Sequence, residues 1–527
     1  MTSSGNSELA KHVRLAAPKQ HGEILQLPPI SKAAAIVDSN RILLAGHPDD
    51  LQAIRLLARK EISALALSYS QRYLAVELPS GGEAIVMSGH QPTLFHPGVW
   101  FKNFVLNSVA NRVGATPINL VVDNDLCQSV RVRAPMLPKS GFGTGQNVYL
   151  SMDQPAAAVP FEMRRIVDRE SFEKFGEAFA NSAHGVVASP LIKELWPEVV
   201  AVSDSLSLPA SLAAGRHRLE VQKGVSNLEL PISLMATSQS FAMFVEKIAL
   251  EAGRFREIHN AALHDYRVTN RIRSRSHPVP ELDANDGFIE VPFWFWTAEN
   301  PQRRSLFAKA TDQSIELSDR NGWSITIDRK GFASAIVELN QIGSDTFIRP
   351  RALTTTMFSR LFASDLFIHG IGGAKYDQLG DEVARRFFGV ETAEMMAVSA
   401  TMKLPFDLPE TGGESVTQLQ EVLRRMRYHP ELELPDDAQA VRKRELVHQR
   451  PSTGSCKTWH DEIEALNLSL YAKLASKVRD VEERLSEARD GEGLTKFVNS
   501  REFSFALFPA TLVKDLVRLT TEPTQQT

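Results

Sequence analysis

The 527-residue chain has only two cysteines, Cys127 and Cys456. Two are too few for a disulfide framework, so a small stapled module is excluded. No apolar run reaches the roughly 18 residues that a membrane span needs, and the chain opens on no signal-peptide pattern. The expectation is a chain that contacts no membrane and works in a reducing, cytoplasmic setting. Excess charge of one sign is missing too. Lys and Arg number 59 against 63 Asp and Glu, a formal net charge of −4, so no nucleic-acid partner is expected. Low-complexity tracts are absent, and so is a tight metal motif of the HExxH type.

What is there is an ordinary globular composition, 43% hydrophobic and 23% charged. The length exceeds the roughly 250–300 residues of a single core, so several units are expected. Residues 1–80 read as a small α/β segment. Residues 81–150 form the first part of an α/β core, 151–340 an inserted helical and antiparallel region, and 341–405 the second part of the core. Residues 406–500 read as a helical, coiled-coil region, and 501–527 as a C-terminal segment.

The core rests on two crossover units. In "EAIVMSGHQPTLFHPGVWFKNFVLNSVANRVGATPINLVVDND", Ala84 to Ser88 is a continuous apolar run of strand length. Phe101, Phe104, Val105, Val109 and Val113 then follow helical spacing. Gly114 is the expected C-cap, and Ile118 to Val122 a second buried strand. Downstream, "DLFIHGIGGAKYDQLGDEVARRFFGVETAEMMAVSATMKLP" predicts a strand at Leu366–Ile368 and a glycine loop from Gly370 to Gly373. It also predicts a helix from about Tyr376 to Phe388 and a strand near Met395–Met402. Two such units predict a doubly wound parallel sheet.

Between them, Phe241 to about Arg267 reads as helix, and "FIEVPFWFWTAENPQRRSLFAKA" as an antiparallel pair whose "FWFW" belongs to its core. Near the end, Ile463, Leu466, Leu470, Leu474, Val478, Val481 and Leu485 recur at steps of three and four. That is an amphipathic helix of coiled-coil type. Its stripe has two possible covers: a second subunit, giving a homodimer through residues 459–490, or another helix of the same chain.

Ligands of parallel sheets bind beyond the carboxyl ends of the strands, where loops enter helices. Gly89 to Gly98 is such a loop, and it gathers His90, Gln91, His96 and Lys102 at a helix start. Free backbone amides and these donors suit a phosphate or carboxylate. The plainer reading has the histidines capping the helix or filling a turn. Asp123 and Asp125, in "DND", emerge at the end of the next strand. They could orient an amine, hold magnesium or act as a base, or simply close an Asx turn. In "HGIGGAKYD", Gly370, Gly372 and Gly373 permit close backbone approach, with Lys375 and Tyr376 following. The spacing fits neither a Walker loop nor the full dinucleotide fingerprint. Arg349 and Arg351 precede that strand as candidate anion ligands or partners of acidic neighbours.

These segments resemble the bacillithiol-biosynthesis cysteine-adding enzymes. The resemblance is carried by "SGHQPTLFHPGVWFKN" followed by "PINLVVDND", by "EVPFWFWTAENPQRRSLFA", and by "RPRALTTTMFSRLFASDLFIHGIGGAKYDQLGDEV". It implies a Rossmann-like core with inserted connecting regions, a helical coiled-coil arm and dimerisation. The implied chemistry is a ligase reaction joining the amino group of a glucosaminyl-malate to the carboxyl of cysteine, with ATP or ADP, and magnesium, in the crevice. Carried over by position, His90 and Gln91 would sit at the first strand's phosphate-facing turn, Asp123 and Asp125 would be the acidic cluster, and Gly370, Gly372, Gly373, Lys375 and Tyr376 would form the second loop. Together with the residues read above, the expected catalytic set is His90, Asp123, Asp125 and Lys375, and the expected substrate- or nucleotide-binding set is Gly89, Gln91, His96, Lys102, Arg349, Arg351, Gly370, Gly372, Gly373 and Tyr376. The alternatives are a metal-dependent hydrolase or transferase built on His90, His96, Asp123 and Asp125, and a non-catalytic dimeric scaffold acting through its long helix.

Overall fold

The computed structural model describes residues 15–78, 83–136, 146–341, 343–406, 414–449 and 456–521. The chain divides into two units. The larger holds residues 1–134, 149–402 and 501–527; the smaller holds 135–148 and 403–500.

The larger unit is built on a six-stranded sheet. Its strands are β1 (Ile24–Leu27), β2 (Ile85–His90), β3 (Thr116–Val121), β4 (Leu228–Pro231), β5 (Leu366–His369) and β6 (Met395–Ala400). Their spatial order is β1-β6-β5-β2-β3-β4. All neighbours run parallel except the edge strand β1, which is antiparallel to β6. The central strands are buried along nearly their whole length, as a sheet covered on both faces demands.

Two helices make the crossovers. Helix α1 (Pro97–Val113) joins β2 to β3, and helix α2 (Ile371–Phe388) joins β5 to β6. Both end on a left-handed glycine, Gly114 at φ 66°, the expected cap, and Gly389 at φ 72°. Only glycine adopts that conformation without a Cβ penalty. α2 starts at Ile371, five residues before the expected Tyr376, because the Gly370–Gly373 turn is the helix's own first turn. β2 and β5 are neighbours in register, Phe367 beside Met87. From this pair the chain departs in opposite directions, to β3 on one side and β6 on the other. That divergence opens a crevice at the strands' carboxyl ends.

The N-terminal segment does not stand apart. β1 extends the central sheet, and the helix Asp49–Ser70 contributes Arg55 and Arg59 to Asp365, just before β5. The inserted region also reaches the core, because β4 closes the sheet's other edge. The helical stretch is two helices, Gln239–Leu250 and Ala252–Thr269.

A second, antiparallel sheet carries the expected hairpin. Its strands lie in the order 324–328, 314–318, 304–310, 288–297, 346–350. The register of Phe288–Thr297 against Arg304–Ala310 slips between Val291 and Trp294. Such a bulge re-aims the side chains that follow it. Phe293, Phe295 and Trp296 are buried, as expected for core, but Trp294 is only half-buried and faces the crevice.

In the smaller unit the long amphipathic stretch is two helices, Cys456–Lys473 and Ala475–Val498. Leu474, Val478, Val481 and Leu485 pack with Leu419 and Met426 of the helix Val416–Tyr428. The stripe from Leu474 to Leu485 is thus covered within its own unit, while Ile463 and Leu466 are half-buried. Among the described residues no helix is long and apolar enough to cross a membrane.

Candidate functional site

The crevice between β2 and β5 opens into a cleft of about 630 Å³. Both turns singled out in the sequence line it: Gly89, His90, Gln91 and His96 on one side, Gly370, Gly372 and Gly373 on the other. Lys102, Asp125 and Arg351 also line it.

At the α1 side, His96 is the N-cap, its Nδ1 accepting the Gly98 N–H at 3.1 Å. The helix end is therefore partly closed by its own side chain, which is the plainer of the two readings. Burial, only partly opposed by Glu502, pulls the His96 pKa down to about 4. His90 packs edge-on against Phe95, and burial, aided by Lys102, takes its pKa down to about 3. Both imidazoles are neutral near pH 7, so they offer lone pairs and N–H groups to a ligand, not positive charge.

Lys102 is different. It lies one turn into α1, is 3% exposed, and donates through Nζ to the Gly89 carbonyl. Among the described residues no carboxylate stands within ion-pair distance of it. Burial, reinforced by the charge of Arg216, lowers its pKa to about 7. A Cβ placed on Gly370 would lie 3.8 Å from its Cδ, so the stem bridges the two turns. A buried amine without a counter-ion costs free energy unless a ligand supplies one.

At the α2 side, Gly370 is an N-cap without a side-chain hydrogen bond. The first-turn amides of an α-helix have no partner inside the helix, so this end presents bare N–H groups to the cleft. Arg501 comes from the returning C-terminal segment. It donates to Ser399 Oγ at 3.0 Å and Thr401 Oγ1 at 3.2 Å, and reaches the cleft beside Gly98.

The opposite wall is furnished by the second sheet. Arg351 sits 4.1 Å over the Trp294 ring and donates to Glu290 at 2.6 Å. Arg303 lies 4.8 Å from the same ring and pairs with Asp125 at 2.9 Å. Gln91 donates to the other Asp125 oxygen at 3.1 Å. Asp125 thereby ties the first turn to this wall.

Four residues named from the sequence stand elsewhere. Asp123 is 7% exposed and accepts from the Ser233 N–H at 2.9 Å and from its hydroxyl. Burial, reinforced by Glu162, raises its pKa to about 7. Its side chain anchors the residues after β4 and does not line the cleft. Arg349 is 2% exposed and makes a two-pronged pair with Glu162, at 2.8 and 2.9 Å. Lys375 and Tyr376 lie in the second turn of α2, off the cleft wall. The Lys375 carbonyl accepts from Tyr266, and the Tyr376 ring meets His277.

Sequence reasoning missed Arg501, Arg303, Trp294 and His369. Arg501 comes from a segment with no local pattern around it, whereas Trp294 and Arg303 stood in the quoted hairpin, Trp294 read there as core. His369 stood inside the quoted glycine motif, at the last position of a buried strand, where a polar residue is itself a signal.

No protein-family model matches the chain, and no curated protein sequence matches it.

Proposed function

We propose that the chain is a carbon–nitrogen ligase that activates a small-molecule carboxylate with ATP and transfers the acyl group to an amine. This is the reaction class that its resemblance to the bacillithiol cysteine-adding enzymes implies, on a core we read as Rossmann-like. One observation supports it most: two turns far apart in sequence flank one cleft, with an unneutralised lysine amine buried between them. A polyphosphate answers each feature. Its oxygens accept from the amides at the start of α2, from Lys102 and from Arg501. Asp125, Gln91, Arg351 and Trp294 then remain for the carboxylate and amine substrates.

The donor set favours this over a metal-dependent hydrolase. Among the described residues no group of three or more His, Cys, Asp and Glu is placed to hold a metal ion. Asp123 is engaged by Ser233, and His96 by its own helix. Asp125 is the only carboxylate among the described residues lining the cleft, so a resident metal centre does not fit. Magnesium enters the proposal only as the ion that accompanies the nucleotide. The scaffold reading is weakened by the part of the stripe, Leu474 to Leu485, that packs within the smaller unit.

Hydroxylamine traps an activated carboxyl as a hydroxamate. The full chain incubated with ATP, L-cysteine and hydroxylamine is expected to give hydroxamate in step with ATP consumption. A parallel panel of small carboxylates guards against the wrong acid. Stoichiometric ATP binding without hydroxamate from any acid would overturn the ligase reading, and no ATP binding would overturn the nucleotide as well.

A further inference from the structure

His369 ends β5, is 5% exposed and lines the cleft. Its Nε2 lies 3.0 Å from Asp377 Oδ2, one turn inside α2. Asp377 is fixed in its turn: it accepts from Thr356 Oγ1 at 2.5 Å and from Arg360 Nη1 at 2.5 Å. Burial raises the Asp377 pKa, but Arg360 and His369 outweigh it and hold this carboxyl below its ordinary range. Asp377 is therefore ionised, and a carboxylate facing Nε2 keeps the imidazole proton on that nitrogen. The lone pair is left on Nδ1.

Nδ1 has no hydrogen-bond partner among the described residues. It stands against the bare turn of α2, where a Cβ built on Gly373 would lie 2.6 Å away. Any side chain at that position would cover the nitrogen; glycine leaves it open. The arrangement is an oriented base: a ring held from behind by a buried carboxylate, with Nδ1 against the glycine turn that lines the cleft.

We infer that His369 is the general base of the acyl transfer, with Asp377 as its positioning residue; the inference rests on the ligase reading above. The substrate ammonium gives one proton to Nδ1. The freed amine lone pair attacks the activated carboxyl carbon and forms the C–N bond. The C–O bond to the phosphate breaks, its electron pair leaving on the phosphate oxygen. The second proton of the attacking nitrogen departs with that phosphate.

The test compares two acceptors in the full chain with ATP and L-cysteine. Hydroxylamine is largely unprotonated near pH 7 and needs little help from a base, whereas D-glucosamine is mostly an ammonium. For His369→Gln, amide formation with glucosamine is expected to fall about 100-fold further than hydroxamate formation, the lower range for loss of a general base. Imidazole added to His369→Ala is expected to restore glucosamine transfer. Asp377→Asn keeps the ring but frees its tautomer, and is expected to lower the same ratio about tenfold; it serves if the His369 variants do not fold. An unchanged ratio in His369→Gln and Asp377→Asn, or no rescue by imidazole, would overturn the inference while leaving the ligase reading intact. Absence of hydroxamate in the wild type would overturn that reading first and this inference with it.

Discussion

Binding of a polyphosphate to this cleft should draw a proton from solvent, and Lys102 sets how much. Its amine is buried, donates among the described residues only to the Gly89 carbonyl, and has a pKa of about 7. At pH 8 such a group is roughly 90% neutral in the free protein. An anion placed against it favours the charged form, and two units of upward shift correspond to about 2.7 kcal/mol of coupling. Binding at pH 8 therefore takes up roughly 0.8 proton per ligand, and affinity weakens about fivefold from pH 8 to 9 and levels off above that. His90 and His96 cannot supply this signal, because their pKa values of about 3 and 4 leave them neutral throughout. The assay is calorimetric titration with ADP in buffers of different ionisation enthalpy, at pH 8. Lys102→Arg, charged at every accessible pH, should bind with uptake close to zero. Wild-type uptake near zero, or equal uptake in Lys102→Arg, would refute the claim that this amine meets the ligand.

Other outcomes follow from the same contacts. Asp123 has a pKa of about 7, raised above its unfolded value, so the native state binds the extra proton between about pH 4 and 7. Its contribution to stability is lost as pH rises through 7; Asp123→Asn should flatten the dependence of the urea midpoint between pH 5 and 8 and leave ADP affinity unchanged. Asp365→Ala strands Arg55 and Arg59 and should cost about 3–5 kcal/mol, read as a fall in urea midpoint. Gly98→Ala would bring a methyl to 2.3 Å from the Ala400 carbonyl and 2.4 Å from Arg501, so ADP affinity should fall at least tenfold. Leu474→Asp should unfold the smaller unit and shift no dimer equilibrium in sedimentation, because Leu474 packs within that unit.

The sheet core was legible because buried parallel strands are written as unbroken apolar runs, and because helices that end on Gly114 and Gly389 use a conformation few other residues tolerate. The start of α2 was misread because "GIGG" has the composition of a loop, yet glycines are harmless in a first turn that has no inward hydrogen bonds to lose. Arg349 could be read as an anion ligand or as the partner of an acidic residue; that partner, Glu162, lies 187 residues away, where no local pattern names it. Trp294 was assigned to the core with the rest of "FWFW" because strict alternation hides a register slip. Arg501 reaches the cleft from a segment whose sequence carries no sign of it. Sequence marks which turns lie at strand ends; the second layer of partners depends on which distant segments return to them.

A structure of the full chain with bound ADP tests the central claim most directly. The account predicts phosphate oxygens within hydrogen-bond reach of the amides at Gly372 and Gly373 and of Lys102 Nζ. ADP seated anywhere else, with the β2–β5 cleft left unchanged, would contradict it.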